Sequence, residues 1–175
     1  IKSIFKVSSS DTSNKVPPAP PKIIELHERN FVFLGANQRV RKKRPTGLRF
    51  SVGQVVRHLR LGFKAVVIGW DESACAPATW MALHYPKLER ELEVRGQPNY
   101  RLLADMRDTL NYLGPLYVPQ DELVVLSKED FKAAGISAFS NEPIVKHPAI
   151  TEFFDFYDGK SFTPRPWLRR IYPQG

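Results

Sequence analysis

The chain has 175 residues, 42% of them hydrophobic and 25% charged, which supports a folded core with appendages and excludes a disordered chain. It has no apolar run near the ~18 residues that a membrane-crossing helix needs. A single cysteine, Cys75, permits no intramolecular disulfide, cysteine-rich zinc site or C-x-x-C pair. The formal net charge of +8 is unevenly placed: residues 1–49 hold 11 Lys/Arg against 3 Asp/Glu, while residues 50–175 hold 15 of each. The positive excess therefore belongs to an N-terminal arm, and the rest is neutral.

Residues 1–22, rich in Ser and Thr and carrying Pro17, Pro18, Pro20 and Pro21, favour extended conformations over a packed core. The first residue is Ile1, not Met, as expected of a processed or trimmed product, and no N-x-S/T acceptor suggests secretion. Residues 23–36 are apolar enough to dock as a short helix and turn. The cluster Arg39, Arg41, Lys42, Lys43, Arg44 follows, ended by Pro45 and Gly47.

From Phe50 the pattern changes to short apolar runs separated by turn residues: Phe50–Val56, Phe63–Trp70, Tyr100–Ala104, Leu116–Val118 and Leu123–Leu126. Phe63–Trp70 is apolar on both faces, and Gly62 and Gly69 bracket it where a closing sheet must bend. The expected fold is mainly β with accessory helices (α+β), a small SH3-like five-stranded antiparallel β-barrel with a helical insert and extended N- and C-terminal arms. Pro77 with Trp80–Leu83, and Pro86 with Leu88 and Leu92 up to Gly96, predict two helical turns in the insert. Ser127 with Asp130 three residues on predicts a capped helix ending at Gly135. Ile150, Phe153, Phe154 and Tyr157 fall at i, i+3, i+4 and i+7, which predicts a helix closed by Gly159. The last residues, with three prolines, are expected to lie extended, anchored by Trp167 and Tyr172. Three units are thus expected: an arm at 1–45, a β-domain at 46–127 and a helical, Pro-rich extension at 128–175.

Catalytic patterns are missing from the sequence: there is no phosphate-binding glycine loop, no H-E-x-x-H and no G-x-S-x-G. His27, His58, His84 and His147 stand singly. Cys75 and His84 form the one conceivable nucleophile and base pair, and nothing nearby is cationic enough to activate a thiol. The expectation is a non-enzymatic protein with no cofactor and no metal. The basic run at 39–44 is suited to phosphate contact by a flexible arm, without interleaved aromatics for stacking on bases.

Phe50–Asp71 resembles the opening of the YccV-like domain, the family of bacterial heat-shock protein Q, also named for hemimethylated-DNA binding. The pattern V-G-Q-x-V-R-H then G-[FY]-x-x-V-[IV]-x-x-W-D is met at Val52, Gly53, Gln54, Val56, Arg57, His58, Gly62, Phe63, Val66, Ile68, Trp70 and Asp71. Trp80 matches a tryptophan on the next helix. Gln97, Pro98, Tyr100 and Leu103 match a later segment, and Tyr117, Val118, Gln120, Asp121, Glu122 and Leu123 the closing one. Asn99 stands where the family usually has an aromatic residue. Residues 147–173, from His147 and Pro148 through Phe154 and Gly159 to Tyr172 and Pro173, resemble the extension that follows this domain in eukaryotic proteins, including some F-box proteins.

The resemblance implies a small barrel, without cofactor, that binds other macromolecules. The function expected is an adaptor or accessory subunit of a larger, organellar protein assembly, with a protease or ubiquitin-type machinery or other protein subunits as partners. Its protein-binding candidates, all matched to the family, are Arg57, His58, Trp70, Asp71, Gln97 and Gln120. The alternative is nucleic-acid binding, to duplex DNA as in the family name or to ribosomal RNA through Arg39, Arg41, Lys42, Lys43 and Arg44. The expected location is mitochondrial before plastid, with nucleus or cytoplasm as the alternative, and with no membrane span.

Overall fold

The structure, a computed structural model, describes residues 33–133 and 143–175. The Pro-rich residues 1–22, most of the docking helix expected at 23–36, and Gly135 lie outside the described residues. Phe33–Ala36 form a turn, in which the Ala36 N–H donates to the Phe33 carbonyl and the Leu34 N–H to Cys75.

Strands β1 (Val55–His58) and β2 (Lys64–Asp71) form an antiparallel hairpin. The insert, α1 (Ala78–His84) and α2 (Leu88–Arg95), leads into β3 (Asn99–Ala104) and β4 (Leu116–Pro119). A single 3-10 turn (Gln120–Glu122) precedes β5 (Leu123–Val125). The sheet order is β4-β3-β2-β1-β5, antiparallel throughout. The five strands are those expected, but the closed barrel is not formed, because β4 and β5 are both edges with no ladder between them. The physical reason is the 3-10 turn, which turns the chain away from β4 so that the three residues of β5 pair with β1 instead. A link this short spans only about 10 Å, so the two edges approach at that one corner of a strongly curled sheet.

β2 is buried along nearly its whole length, as its two-faced apolar run predicts. Val56, Ala65, Val67 and Leu102 are fully buried on one face of the sheet and Val66 on the other, and Leu168, Ile171 and Tyr172 from the C-terminal end join the same core. A bulge at Ile68 shifts the β2–β3 register between Val67 and Gly69 and adds local bend. A smaller core under the insert gathers Ala76, Met81, Val94 and Tyr117. Asn99, in the place of the family's aromatic residue, is fully buried and donates from Nδ2 to the carbonyls of Val94 and Gln97. It ties the end of α2 to the start of β3.

Helix α3 (Lys128–Ala133) starts with the predicted capping box. The Ser127 N–H donates to Asp130 Oδ2 at 2.8 Å, and the Asp130 N–H to Ser127 Oγ at 3.1 Å. Two further expectations are corrected. The helix expected at 150–157 is one turn, α4 (Ile150–Phe153), followed by a hairpin of β6 (Phe154–Tyr157) and β7 (Phe162–Pro164). Asp158 Oδ1 accepts the N–H groups of Lys160 and Ser161 and folds a turn there. Phe154 is buried and Phe156 exposed, although i and i+2 share a face of a regular strand, because a register shift falls between them. The tail expected to be extended forms α5 (Pro166–Ile171), with proline in its first turn, where its missing N–H costs nothing. Tyr172 is an anchor as expected, while Trp167 is only half-buried.

At the end of β3, Asp105 is fully buried and bonded by the backbone N–H and guanidinium of Arg107, with Lys64 Nζ 3.9 Å away. Burial pushes its carboxyl up, but the Arg107 bonds outweigh this and hold it below the usual 3.8. A depressed carboxylate contributes stability that is complete above its unfolded pKa and lost as pH falls through its folded one. Asp105→Asn should therefore cost about 2 kcal/mol at neutral pH. It should also flatten the loss of stability below the usual carboxylate range, as read by thermal melts across pH. An acid limb as steep as that of the parent would contradict this.

Candidate nucleic-acid interface

The cations at 39–44 do not form a uniform patch. Residues 37–44 run beside the C-terminal end of the chain. The Arg41 N–H donates to the Ile171 carbonyl at 2.8 Å, and the Arg44 N–H to Gln174 Oε1 at 3.2 Å. Within this seam Arg41 and Arg44 turn inward. The Arg41 guanidinium lies over the rings of Tyr172 (4.6 Å) and Trp70 (5.5 Å), bonds the carbonyls of Asn37 and Arg39, and meets Asp71 Oδ1 at 3.4 Å. Arg44 donates to the carbonyls of Gly175, Leu48 and Phe50. A planar fork of donors suits both positions, and at Arg41 it also stacks on aromatic faces, which lysine could not reproduce.

Arg39, Lys42 and Lys43 are left exposed on the outer side. α5 brings Arg169, whose guanidinium also donates to the Pro164 carbonyl, and Arg170, both exposed, to the residues just before Ile171, so exposed cations from both ends of the chain flank the Arg41–Ile171 bond. The carboxylate that the seam does contact, Asp71, faces inward. Residues 50–164 hold 12 Lys/Arg against 15 Asp/Glu, so the positive charge of the protein sits at its two ends and the fold places part of both together. Sequence reasoning missed Arg169 and Arg170 because they lie more than a hundred residues from the run they join.

Of the six family-matched candidates two are buried, Arg57, Asp71, Gln97 and Gln120 are partly exposed, and all six are engaged within the fold. His58 and Trp70 are 3% and 4% exposed. The Arg60 and Leu61 N–H groups both donate to His58 Nδ1, so Nε2 carries the proton and donates to Glu122 Oε2 at 3.1 Å. The Trp70 N–H donates to the Tyr172 hydroxyl, which reaches β2 because residue 69 is glycine; a Cβ there would lie 2.6 Å from it. Asp71 Oδ2 accepts the Gly35 N–H (2.9 Å) and the Tyr117 hydroxyl (2.8 Å). Gln120 Oε1 accepts the Tyr100 hydroxyl and the Arg49 N–H while its Nε2 donates to the Gly47 carbonyl. Gln97 Oε1 accepts the Asp121 N–H, and Arg57 pairs with Asp130 at 3.0 Å. These side chains tie the corner where the sheet edges approach, and tie the N-terminal segment to the sheet.

Cys75 and His84 are not set up as nucleophile and base. Burial first, and the Asp71 charge next, push the thiol up, which reduces thiolate at neutral pH. The His84 ring stacks on Trp80 at 3.9 Å with Nδ1 against the Trp80 carbonyl. Among the described residues no three His, Cys, Asp or Glu side chains gather to hold a metal, and no helix is long and apolar enough to cross a membrane.

A curled, open five-stranded antiparallel sheet with a helical insert after its second strand, braced by a hairpin, defines the class of the domain. A family model described as hemimethylated DNA-binding protein YccV like matches residues 48–161, and the chain belongs to this YccV-like family. The matched span stops short of both halves of the basic seam.

Proposed function

We propose that the protein is a binding module that grips a nucleic-acid backbone, duplex DNA first, through Arg39, Lys42, Lys43, Arg169 and Arg170. The observation that carries this is the joining of the two basic ends along the Arg41–Ile171 seam. The family description, which names hemimethylated DNA, supports the choice of ligand. Aromatic side chains of the seam are occupied inside it by Arg41, so the contact is to phosphates and positions without reading sequence. Binding, rather than catalysis, is the role this assigns.

Deleting residues 39–44 would remove Arg41 and Arg44 and with them part of the core, so neutralising substitutions are the cleaner test. Anisotropy of a labelled duplex should show about a tenfold or greater loss of affinity for a variant carrying Lys42→Gln, Lys43→Gln, Arg169→Gln and Arg170→Gln at low salt. Unchanged affinity would remove the seam from the account, and preference for a single-stranded RNA over the duplex would replace DNA as the ligand.

A further inference from the structure

A groove on another part of the surface shares no residue with the seam. Two adjoining cavities, of 520 Å³ and 340 Å³, share Arg60, His84, Tyr85 and Glu122 in their walls. They lie between the β1–β2 turn, the α1–α2 link and the 3-10 turn, and extend towards Tyr112 and Pro115. The smaller cavity has an aromatic and aliphatic stretch, Trp80, Phe63, Leu61 and Tyr112, beside the Arg60 and Glu122 it shares with the larger one; Leu61 is 72% and Tyr112 50% exposed. Apolar side chains this open, beside a concave aromatic wall, mark a binding surface.

The larger cavity is charged, and its charges are unequally satisfied. Arg90 donates to both oxygens of Asp121, at 2.6 and 2.9 Å, and to Glu122 Oε1 at 2.8 Å, while His58 takes the other Glu122 oxygen. Both carboxylates of the groove thus have partners within the fold, and the one guanidinium balances one of their two charges. Arg60 and Lys87, on the same walls, make no side-chain hydrogen bond or ion pair among the described residues. With these two cations the charged lining of the groove is net +1, and the unpaired charges lie next to the aromatic stretch.

We propose that this groove binds a peptide segment of a protein partner in which acidic residues neighbour an aromatic or aliphatic anchor. The anchor enters beside Leu61, Trp80 and Tyr112, and the carboxylates meet Arg60 and Lys87. A nucleic-acid backbone is the poorer fit, since its run of phosphates would extend past the two unpaired cations to Asp121 and Glu122, whereas a short acidic stretch need meet only Arg60 and Lys87. The Arg90 fork and the backbone bond from Tyr85 to Met81 hold the wall in place before binding, which lowers the ordering cost. The inference stands whether or not the seam binds DNA.

The test is selection of random peptides displayed on phage against the whole chain, with an Arg60→Glu/Lys87→Glu variant in parallel. Enriched peptides should carry Asp or Glu beside Trp, Phe or Leu. As synthetic peptides they should lose about tenfold or more in affinity on that variant and on Leu61→Asp. All three sites are exposed or on the groove rim, and an unchanged melting temperature would confirm that the variants fold. No enrichment, enrichment of basic peptides, equal affinity for parent and variants, or displacement by duplex DNA would each overturn the proposal.

Discussion

Gly53→Ala should lower the melting temperature by about 12 °C and loosen the β6–β7 hairpin from the sheet. Gly53 has φ +89°, where an alanine is strained by about 1–2 kcal/mol. Crowding costs more than this strain: a Cβ there would lie 2.1 Å from the Phe162 carbonyl oxygen, which is backbone and cannot swing aside. Yet Gly53 is where the hairpin attaches. Its N–H donates to Val67, its carbonyl accepts the Phe162 N–H at 2.7 Å, and Gln54 bridges Ser161 alongside. β7 must retreat to admit a methyl group, which breaks those bonds and uncovers Phe154 and Phe162. A total near ~4 kcal/mol follows. Gly62 is the control, because it has φ +76° but nothing within 4 Å of its Cβ position. Gly62→Ala should cost only the strain, about 1 kcal/mol. Equal melting temperatures for the two variants would refute the steric argument, and limited proteolysis at residues 158–161 would report whether the hairpin has come away.

Asp71→Ala is expected to cost about 3 kcal/mol and to free the Phe33–Arg44 segment. Burial raises this carboxyl above its usual 3.8, against the pull of Tyr117, Arg41 and Gly35. Its own charge is therefore poorly placed, and its contribution lies in the donors it satisfies. Without it the Tyr117 hydroxyl, already accepting the Cys75 N–H, has no acceptor, and the Gly35 N–H and one face of Arg41 lose theirs. Asp71→Asn keeps one acceptor oxygen and should fall between parent and alanine. The sign with pH follows from the raised value: the folded state holds its proton more tightly than the unfolded one, so this residue's burden eases as pH falls through its folded pKa. The gap between parent and alanine variant should then widen towards acid. Amide exchange at Gly35 is the local readout, and protection there equal to the parent's would contradict the latch.

How far these features could be read in advance depends on the distance over which each is decided. The β2 run and the Ser127–Asp130 box are local patterns, and both are found where the sequence places them. Ile150–Tyr157 carries two periods at once: 150, 153, 154 and 157 share a helical face, while 154 and 156 have the i, i+2 spacing of one strand face. The Asp158–Gly159 turn, with a β7 partner beyond it, decides for the strand. Pro166 looked like a breaker and is a helix start. Closure of the sheet depends on whether two edges pair, which no single run encodes. The site was least legible of all. Arg41 and Lys42 are neighbours of the same charge, but one faces Asp71, Trp70 and Tyr172 and the other solvent. That division is set by partners far along the chain, and so is the arrival of Arg169 and Arg170.

If the joined ends grip a nucleic-acid backbone, as proposed, binding to a duplex must weaken steeply with salt. The most direct measurement is the salt dependence of binding to one labelled duplex in hemimethylated and unmethylated forms, for the parent and the four-glutamine variant. Five phosphate contacts predict a log–log slope of about −4.5 for the parent, falling to about −1 for the variant. Phosphate contact also predicts equal affinity for the two duplexes. A parent slope near zero, or the same slope in both proteins, would contradict the seam as the interface, and a strong preference for the hemimethylated duplex would place recognition elsewhere, within the family-matched sheet.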